Sequence, residues 1–429
     1  MPPAIPPARS SWWMEVGPLG RGTSFGGLGS ARSCDDTSSK PDKEKPEGRR
    51  MMPGMSHRQR VLAALNHREP DRVPLDLGST RSTSLVIEAY TSLNSYLKVE
   101  EPPRIFSKWL HIAHPNQAML ERFAIDTRGL SQGDPDHWQD IVFPDGSYQD
   151  EWGVVRSKPE GCLYYDLTRS PFQGEPSLED LRKFPWPDPH DPGRCRGLAD
   201  SARRLHQETD YAVVLNMPGG IVHQSQFMRG FEGWFTDLIL NPTFFHALMD
   251  RLADLWIEMA RDELEAVGNW VDICFYGDDV AFQNGPMMSQ ELYRKMIKPY
   301  HKRLFSFIKS RTSAKILYHT CGSVVHLIPD LIDMGVDALN PVQVSAQGMD
   351  TRRLKQEFGR HISFWGGIDT QKVLPFGTPE EVAAEVRRRI EDLAPGGGYV
   401  LCAVHNIQAD VPPENICAMY DAALEYGRY

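Results

Sequence analysis

The feature that most limits the fold of this chain is a unit of strand, polar loop and helix that recurs from residue 55 to the end. The candidate strands are short apolar runs, which lie at 72–77, 125–130, 212–217, 271–276, 315–319, 336–340, 362–365 and 398–403. Several are almost continuously hydrophobic, as is typical of parallel strands covered on both faces. Eight such strands alternating with helices predict an α/β fold, a (β/α)8 TIM barrel, with an insertion at about 131–195.

The helical stretches between these strands carry their own signals. Residues 244–265 repeat apolar side chains at helical spacing, and 291–309 does the same, although Pro299 must kink or split it. Thr378 and Pro379 provide a cap and a first turn for a helix at 380–393. A doubly wound open sheet is the alternative fold, but it would carry a glycine-rich phosphate turn early in the chain, and the sequence has none there.

Residues 1–54 differ in composition from the rest. They are rich in Pro, Gly, Ser and Arg and show no helical or strand period, so we predict a disordered tail. A misassigned start is a second explanation, with Met52 or Met55 as the true one. A transit peptide is a weaker one, because this segment is too acidic. The barrel domain is therefore expected over 55–429.

Charge and composition exclude several classes of protein. A net charge of −10 argues against a nucleic-acid partner, which requires a basic surface. No apolar run reaches the roughly 20 residues of a membrane span, and the start lacks the apolar core of a secretory signal. Seven scattered cysteines are typical of reduced thiols, so the predicted location is the cytoplasm.

Polar side chains gather where the predicted strands end, and in a β/α barrel these positions face the active-site mouth. The candidates are Asp76, Asp126, Asn216, Asp278, Asp279, His319, Cys321, Asn340, Gln343, Asp369, Cys402, His405, Asn406 and Gln408. Asp278 and Asp279 are adjacent and alternate faces, so at most one of them can point at a substrate.

His319 and Cys321 form the sharpest local signal. Imidazole and thiolate two residues apart lie on one side of an extended segment and suit zinc. A third ligand should come from another strand end, with His405 or Cys402 as candidates. Three protein ligands with an open fourth position would make a catalytic zinc site.

From about residue 55 to the end, the chain resembles the uroporphyrinogen decarboxylase superfamily. The stretches that carry the resemblance are RQRVLAALNHREPDRVPLDLG, LNMPGGIVHQSQFMRGFEGWFTDLILNP, GDDVAFQNGPMMSQELYRKMIKPYHKRL, YHTCGSVVHLIPDLIDMGVDALNPVQ, FWGGIDTQKVLPFGTPEEV and HNIQADVPPENI. The resemblance implies a β/α barrel and one of two activities. One is the cofactor-free decarboxylation of porphyrinogens in haem biosynthesis, and the other is zinc-dependent methyl transfer with a corrinoid protein.

The two branches of this family differ at residues that can be read here. Decarboxylases carry an arginine-rich segment of the type R-Q-A-G-R after the first strand, whereas this chain has DLGSTRSTSLVIEAY, with Arg81 alone. Methyltransferases carry H-x-C on strand five and a cysteine after strand eight. When the trailing P-x-E-N is aligned, His405 falls where that cysteine sits, so the resemblance favours His405 as third ligand, with Cys402 as the fallback. A histidine there makes the site less electron-rich, which suggests an acceptor other than coenzyme M.

The favoured hypothesis is therefore a zinc methyltransferase that binds the metal through His319, Cys321 and His405 and uses Asp278 or Asp279 as acid, base or orienting group. A corrinoid protein and a small methyl donor or acceptor are the implied partners, and a homodimer is the assembly considered. The expected pocket-lining residues are Asp126, Asn216, Asn340, Gln343, Asp369 and Asn406. A decarboxylase, with His405 assisting proton delivery, and a non-catalytic barrel that binds a corrinoid or tetrapyrrole are the alternatives.

Charge at the mouth favours the first hypothesis over the second. Five aspartates are expected there and would repel an octa-anionic porphyrinogen, namely Asp76, Asp126, Asp278, Asp279 and Asp369. Arginines of the insertion, such as Arg156 or Arg169, are the other source of positive charge, if the insertion folds over the mouth.

Overall fold

The structure, a computed structural model, describes residues 54–159 and 164–429. Apart from its last residue, the predicted tail lies outside the described residues. The helices are α1 (His57–Leu65), α2 (Ile87–Leu97), α3 (Gln117–Arg122), α4 (Leu178–Lys183), α5 (Pro192–Cys195), α6 (Leu198–Glu208), α7 (Ile221–Arg229), α8 (Phe231–Leu240), α9 (Pro242–Val267), α10 (Gln290–Met296), α11 (Lys298–Arg311), α12 (Ile328–Asp333), α13 (Thr351–Phe358), α14 (Val373–Phe376), α15 (Pro379–Leu393) and α16 (Pro413–Tyr426). The strands are β1 (Leu85–Val86), β2 (Arg104–Ser107), β3 (Ile112–His114), β4 (Thr127–Ser131), β5 (Ile141–Val142), β6 (Tyr148–Gln149), β7 (Val155–Ser157), β8 (Asp166–Arg169), β9 (Ala212–Asn216), β10 (Ile273–Gly277), β11 (Ala281–Phe282), β12 (Gly285–Pro286), β13 (Lys315–His319), β14 (Ala338–Asn340), β15 (Ser363–Trp365) and β16 (Tyr399–Val400).

The predicted β/α barrel is confirmed. Seven parallel strands form a curled sheet in the order β16, β15, β14, β13, β10, β9 and β4. Segment 73–77 lies between the two edge strands: Leu75 forms a parallel bridge with Leu401, and the Asp126 N–H donates to the Leu75 carbonyl at 2.9 Å. This segment is the eighth barrel stave, so the edges that a seven-stranded sheet would expose are covered.

Pro299 acts on the chain as the sequence predicts. The helical stretch divides into α10, which ends at Met296, and α11, which begins at Lys298. Pro299 falls in the first turn of α11, where a missing backbone N–H removes no intrahelical hydrogen bond. Likewise, α15 is capped by Thr378, whose side chain accepts from the Glu381 N–H.

Side chains along each strand point alternately into and out of the barrel. The inward-pointing side chains are apolar along most of the barrel and polar at one end. The interior set is Val61, Leu65, Ala212, Val214, Ile273, Phe275, Leu317, Ala338, Trp365, Val400 and Cys402. Its first two members come from α1, which plugs the amino-terminal end of the barrel. Two residues beyond the last interior side chains of β9, β13 and β14 are Asn216, His319 and Asn340. Because every second side chain of a strand points into the barrel, these polar groups face inward at the carboxyl ends of the strands.

Asp126 does not belong to that polar end, and its prediction as a mouth residue was wrong. It precedes β4 and therefore lies at the amino ends of the strands. Its fully buried carboxylate accepts from Arg60 at 2.6 Å and from Arg72 at 2.8 Å. His57 lies 2.7 Å away, and the Leu75 N–H donates to it at 2.7 Å. The error arises because Asp126 stands at the start of its apolar run and not at its end.

The insertion adds a second, smaller layer. It contains the antiparallel sheet β5-β6-β7-β8, and the Tyr165 N–H reaches the Trp109 carbonyl, at 3.5 Å, in the turn between β2 and β3. Within the described residues, no helix has the length and apolar character needed to cross a membrane.

Candidate metal centre at the barrel mouth

Three side chains converge at the carboxyl ends of the barrel strands. His319 ends β13, Cys321 follows two residues later, and His405 lies in the loop after β16. One ligand atom from each residue lies within 4.8 Å of the others. The His319 Nε2 is 3.5 Å from the Cys321 Sγ, and the two imidazole rings are 5.5 Å apart between centroids. We call these three residues the triad.

The hydrogen bonds of Asn340 select the tautomer of His319. The Asn340 Nδ2 donates to the Trp365 carbonyl at 3.2 Å, and a carbonyl can only accept. The Asn340 Oδ1 must therefore face His319, whose Nδ1 lies 2.5 Å away and must carry the proton. This leaves the His319 Nε2 with a free lone pair that faces Cys321, as in metal sites where a second polar group orients the ligating imidazole.

His405 fits the role of third ligand. Its Nδ1 is buried and has no hydrogen-bond partner among the described residues, an arrangement that costs free energy unless something else binds there. Burial, and then the neighbouring His319, lower the pKa of His405 to about 3, so the ring is neutral. Two neutral imidazoles and a sulfur make a donor set that zinc accepts. The residues therefore fit a zinc ion.

Backbone hydrogen bonds hold Cys321 in place. Its N–H donates to the Asp279 Oδ1 at 2.5 Å, and the next N–H, of Gly322, donates to the Gln343 Oε1 at 2.6 Å. Gly322 has a φ of +93°, and a Cβ there would lie 2.7 Å from the Phe282 carbonyl oxygen. Burial, and then the Asp279 carboxylate, raise the pKa of the Cys321 thiol well above its usual value.

Cys402, the fallback ligand, does not join the triad. It belongs to the apolar interior set, and its Sγ lies 3.2 Å from the Ala403 carbonyl. Burial raises the pKa of its thiol well above the usual value. His405 is three positions after Cys402, and over these positions the chain passes from the barrel interior to the mouth.

Asp278 and Asp279 point in different directions. The Asp278 carboxylate is fully buried and accepts from the N–H groups of Val222 and His223, each at 2.8 Å, at the start of α7. The Tyr276 hydroxyl donates to Asp278 at 2.9 Å, and the His301 Nε2 lies 2.9 Å away. Asp278 thus anchors α7 against the barrel wall.

Asp279 faces the triad, and its partner is His223. The His223 Nε2 is 3.4 Å from the Asp279 Oδ2. Burial alone would raise the pKa of Asp279, but the bond to His223 outweighs it, so the pKa is lowered. Burial alone would lower the pKa of His223, but Asp279 raises it. Both shifts favour the charged forms, and the Asp279 N–H also lies 3.3 Å from the His223 Nε2. The Asp279 carboxylate uses Oδ2 for the contact with His223 and Oδ1 for the Cys321 N–H.

The predicted amide residues bind the protein's own loops. The Asn216 Nδ2 donates to the Ser79 carbonyl at 2.9 Å, and its Oδ1 accepts from the Arg81 N–H at 3.1 Å. The Asn406 Oδ1 accepts from the Ser84 N–H at 2.8 Å, while its Nδ2 donates to the Arg81 carbonyl at 3.0 Å. Both side chains fix the loop after the first stave at the mouth.

Gln343 and Asp369 have similar roles. Besides accepting from the Gly322 N–H, Gln343 donates to the Gln283 Oε1 at 2.7 Å, which links the ends of two strands. The Asp369 Oδ1 accepts from the Gln371 N–H at 2.8 Å within its own loop.

The predicted ring of five aspartates is not formed. Asp126 lies at the other end of the barrel, and Asp278 is bonded behind the wall. Asp76 lies in the interior, where it accepts from Thr127 at 2.6 Å and from the Trp365 Nε1 at 2.9 Å. Asp279 and Asp369 remain near the mouth, so repulsion of anions is weaker there than the sequence suggested.

Sequence reasoning missed His223 and Tyr164. His223 follows the Gly219-Gly220 turn after β9, but nothing in the sequence shows which face of α7 carries it. The Tyr164 hydroxyl, from the insertion, lies 2.6 Å from the Gln408 Nε2. Of the two insertion arginines named from the sequence, Arg156 is buried, whereas Arg169 is exposed on β8.

The chain is similar to known enzymes in sequence. The model of the family described as Uroporphyrinogen decarboxylase (URO-D) matches residues 165–426, more than half of the chain. A methylated-thiol–coenzyme M methyltransferase of Methanosarcina mazei is 24% identical over 271 residues, which cover 62% of this chain and 68% of that protein. A uroporphyrinogen decarboxylase of Azoarcus sp. is 23% identical over 262 residues, which cover 58% of this chain and 68% of the relative.

A solved methyltransferase from Methanosarcina mazei shares the fold. Its TM-score is 0.60 at 18% sequence identity, and the match covers 86% of this chain and 99% of that one. Its relatives include both methyltransferases and decarboxylases at similar identity. From the family match and the shared barrel, we conclude that the chain belongs to the uroporphyrinogen decarboxylase family.

Proposed function

We propose that this protein is a zinc-dependent methyltransferase that exchanges a methyl group with a corrinoid protein. The observation that carries the proposal is the convergence of His319, Cys321 and His405, with ligand atoms within 4.8 Å, at the end of the barrel where such enzymes place their chemistry. A methylcobamide:CoM methyltransferase of Methanosarcina mazei, 25% identical over 252 residues, supports the direction of the proposal.

The three triad residues would hold the metal. A zinc ion held by these residues would supply a Lewis acid that activates a thiol-type acceptor. Asn340 keeps the His319 lone pair directed at the site, and Asp279 holds the Cys321 backbone. We assign Asp279 a positioning role and exclude Asp278 from the chemistry, because its carboxylate is already bonded to four donors behind the barrel wall.

The proposed reaction balances without a further oxidant or reductant. A lone pair on the acceptor forms the bond to the methyl carbon while the cobalt–carbon bond breaks. The electron pair of that bond stays on cobalt, which passes from Co(III) to Co(I), and the acceptor loses its proton. The protein would contribute orientation of the acceptor and exclusion of water at the mouth. Gln408, in the same loop as His405, donates to the Tyr164 hydroxyl of the insertion at 2.6 Å.

Metal content is the first test of the proposal. We expect about one zinc per chain in the wild type and its loss in His319→Ala, Cys321→Ser and His405→Ala, measured by elemental analysis of the purified, dialysed protein. Cys402→Ser is the matched control, since that thiol lies in the apolar interior, and it should keep its zinc. A metal-free protein that retains full activity, or a Cys402→Ser protein without zinc, would contradict the proposed ligand set.

Activity distinguishes the two branches of the family. Under anaerobic conditions, methylcob(III)alamin and a panel of thiols should yield Co(I), which is visible in the absorption spectrum. Incubation with uroporphyrinogen should leave the substrate unchanged. Accumulation of coproporphyrinogen in the chromatogram would show that the protein is a decarboxylase instead.

A further inference from the structure

Gln408 carries a buried acceptor that no group in the described parts of the chain uses. The residue lies in the loop after β16, three positions beyond His405, and is 3% exposed. Its Nε2 donates to the Asn406 carbonyl at 2.7 Å and to the Tyr164 hydroxyl at 2.6 Å, which occupies both amide hydrogens. Its Oε1 is buried and has no hydrogen-bond partner among the described residues, which is unfavourable unless a further group donates to it.

The same contacts determine how the Tyr164 hydroxyl takes part in hydrogen bonds. The Asn406 carbonyl can only accept, so the atom of Gln408 beside it is the amide nitrogen and not the oxygen. An amide nitrogen only donates, and the Tyr164 oxygen is therefore the acceptor in its contact with Gln408. The O–H proton of Tyr164 remains available to donate, because no other hydrogen-bond partner of this hydroxyl lies in the described parts of the chain.

Tyr164 and Gln408 lie beside the triad. Tyr164 belongs to the insertion and precedes β8, whereas Gln408 shares a loop with His405. Burial raises the pKa of the Tyr164 hydroxyl above its ordinary value, the hydrogen bond from Gln408 opposes this shift, and the charge of a Cys321 thiolate adds to it. The influence of Cys321 requires that the hydroxyl lie near the sulfur of the triad. A free donor and a free acceptor are therefore neighbours next to the proposed zinc site.

We propose that Tyr164 and Gln408 recognise a hydroxyl group on the thiol substrate, with the Tyr164 O–H donating to the hydroxyl oxygen and the Gln408 Oε1 accepting the hydroxyl proton. The inference rests on the proposed function, because it takes the triad as the end of the site where the sulfur binds. A hydroxyl is a small neutral group that both donates and accepts at one atom, so it satisfies both residues at once. An apolar thiol of the same size would leave both groups buried without partners.

Calorimetric titration of the zinc-loaded protein with mercaptoethanol and with propanethiol tests the proposal, because these thiols have nearly the same size and differ in the hydroxyl. The wild type should bind mercaptoethanol about 10- to 100-fold more tightly, since propanethiol forms neither of the two buried hydrogen bonds. In Tyr164→Phe this preference should fall at least about fivefold. Gln408→Met removes the acceptor at a similar side-chain length and should have a similar effect.

Tyr165→Phe is the matched control. Tyr165 is the adjacent tyrosine, and its ring packs against that of Tyr148, with 5.1 Å between the centroids. The change removes one hydroxyl from the same segment of the insertion and keeps the ring. The variant should therefore retain the full preference for mercaptoethanol, and a loss equal to that in Tyr164→Phe would overturn the assignment to Tyr164.

Ethanol, which has the hydroxyl but no thiol, separates this inference from the proposed function. Ligand-observed NMR should show that ethanol binds the wild type and that Tyr164→Phe weakens this binding. If ethanol binds in this way while neither thiol binds through the triad, the hydroxyl site stands and the proposed chemistry fails. If the thiols bind but the wild type shows no preference, or the preference persists in Tyr164→Phe and Gln408→Met, the hydroxyl site is wrong. If neither ethanol nor a thiol binds, both proposals are wrong. Should Tyr164→Phe not fold, Gln408→Met decides by the same criteria.

Discussion

Replacing Asp126 by asparagine should destabilise the protein without touching its chemistry. The Asp126 carboxylate lies at the amino-terminal end of the barrel and is fully buried. Arg60 and Arg72, both nearly buried, bind it at 2.6 and 2.8 Å, and the Leu75 N–H of the eighth stave donates to it at 2.7 Å. Asparagine removes the charge that compensates both arginines and turns one accepting oxygen into a donor.

The expected cost is about 3–5 kcal/mol in the free energy of unfolding, the usual result of removing one partner from a buried ion pair. Arg60 also binds Asp71 at 2.6 Å, but that carboxylate is about one third exposed, so Asp71→Asn should cost about 1 kcal/mol or less. Both variants remove a carboxylate charge from Arg60. Their difference measures the effect of burial together with the loss of the second arginine, Arg72, which binds Asp126.

Urea unfolding followed by tryptophan fluorescence gives the stability, and zinc content and the proposed methyl transfer, each per folded chain, test for an effect on the site. Burial alone would raise the pKa of Asp126, but His57 and then the two arginines outweigh it and the pKa is lowered. Its stabilisation is therefore fully present above the ordinary aspartate pKa of about 3.9 and is lost as the pH falls through the lower, folded-state value. The cost of Asp126→Asn should thus be constant from about pH 5 to 8. A variant within about 1 kcal/mol of the wild type, or one with normal stability and impaired methyl transfer, would refute the structural role of Asp126.

Two further changes test the positioning of the triad. Asn340→Leu removes the acceptor that orients His319. The affinity for zinc, measured by competition with a chelator, should therefore fall about 10- to 100-fold. An unchanged affinity would contradict the tautomer assigned to His319. Gly322→Ala places a Cβ 2.7 Å from the Phe282 carbonyl oxygen, in a residue whose φ is +93°. The variant should lose about 1–3 kcal/mol of unfolding free energy and bind zinc more weakly, because Cys321 is displaced. A stable variant that binds zinc normally would show that this loop adapts freely.

Much of the fold was readable because barrels are built from local periods. Short apolar runs located all eight staves, and the structure places the ends of the seven regular strands within about three residues of the predicted ends. Pro299 and Thr378 marked helix boundaries through the chemistry of single residues. His319 and Cys321 were paired correctly because two residues in an extended segment share a side whatever the rest of the chain does.

The sequence by itself determined which residues stand near strand ends, and the tertiary structure decided which end and which side. Asp126, Asp278 and Asp279 carry the same side chain. Ion pairs at the amino-terminal end of the barrel hold Asp126, whereas backbone N–H groups at the start of α7 hold Asp278. His405, and not Cys402, completes the triad because the chain leaves the apolar interior between them. These outcomes depend on contacts between segments far apart in the chain, formed only when the barrel closes, and no local period encodes them. The same holds for Arg156, which the insertion buries against Phe227.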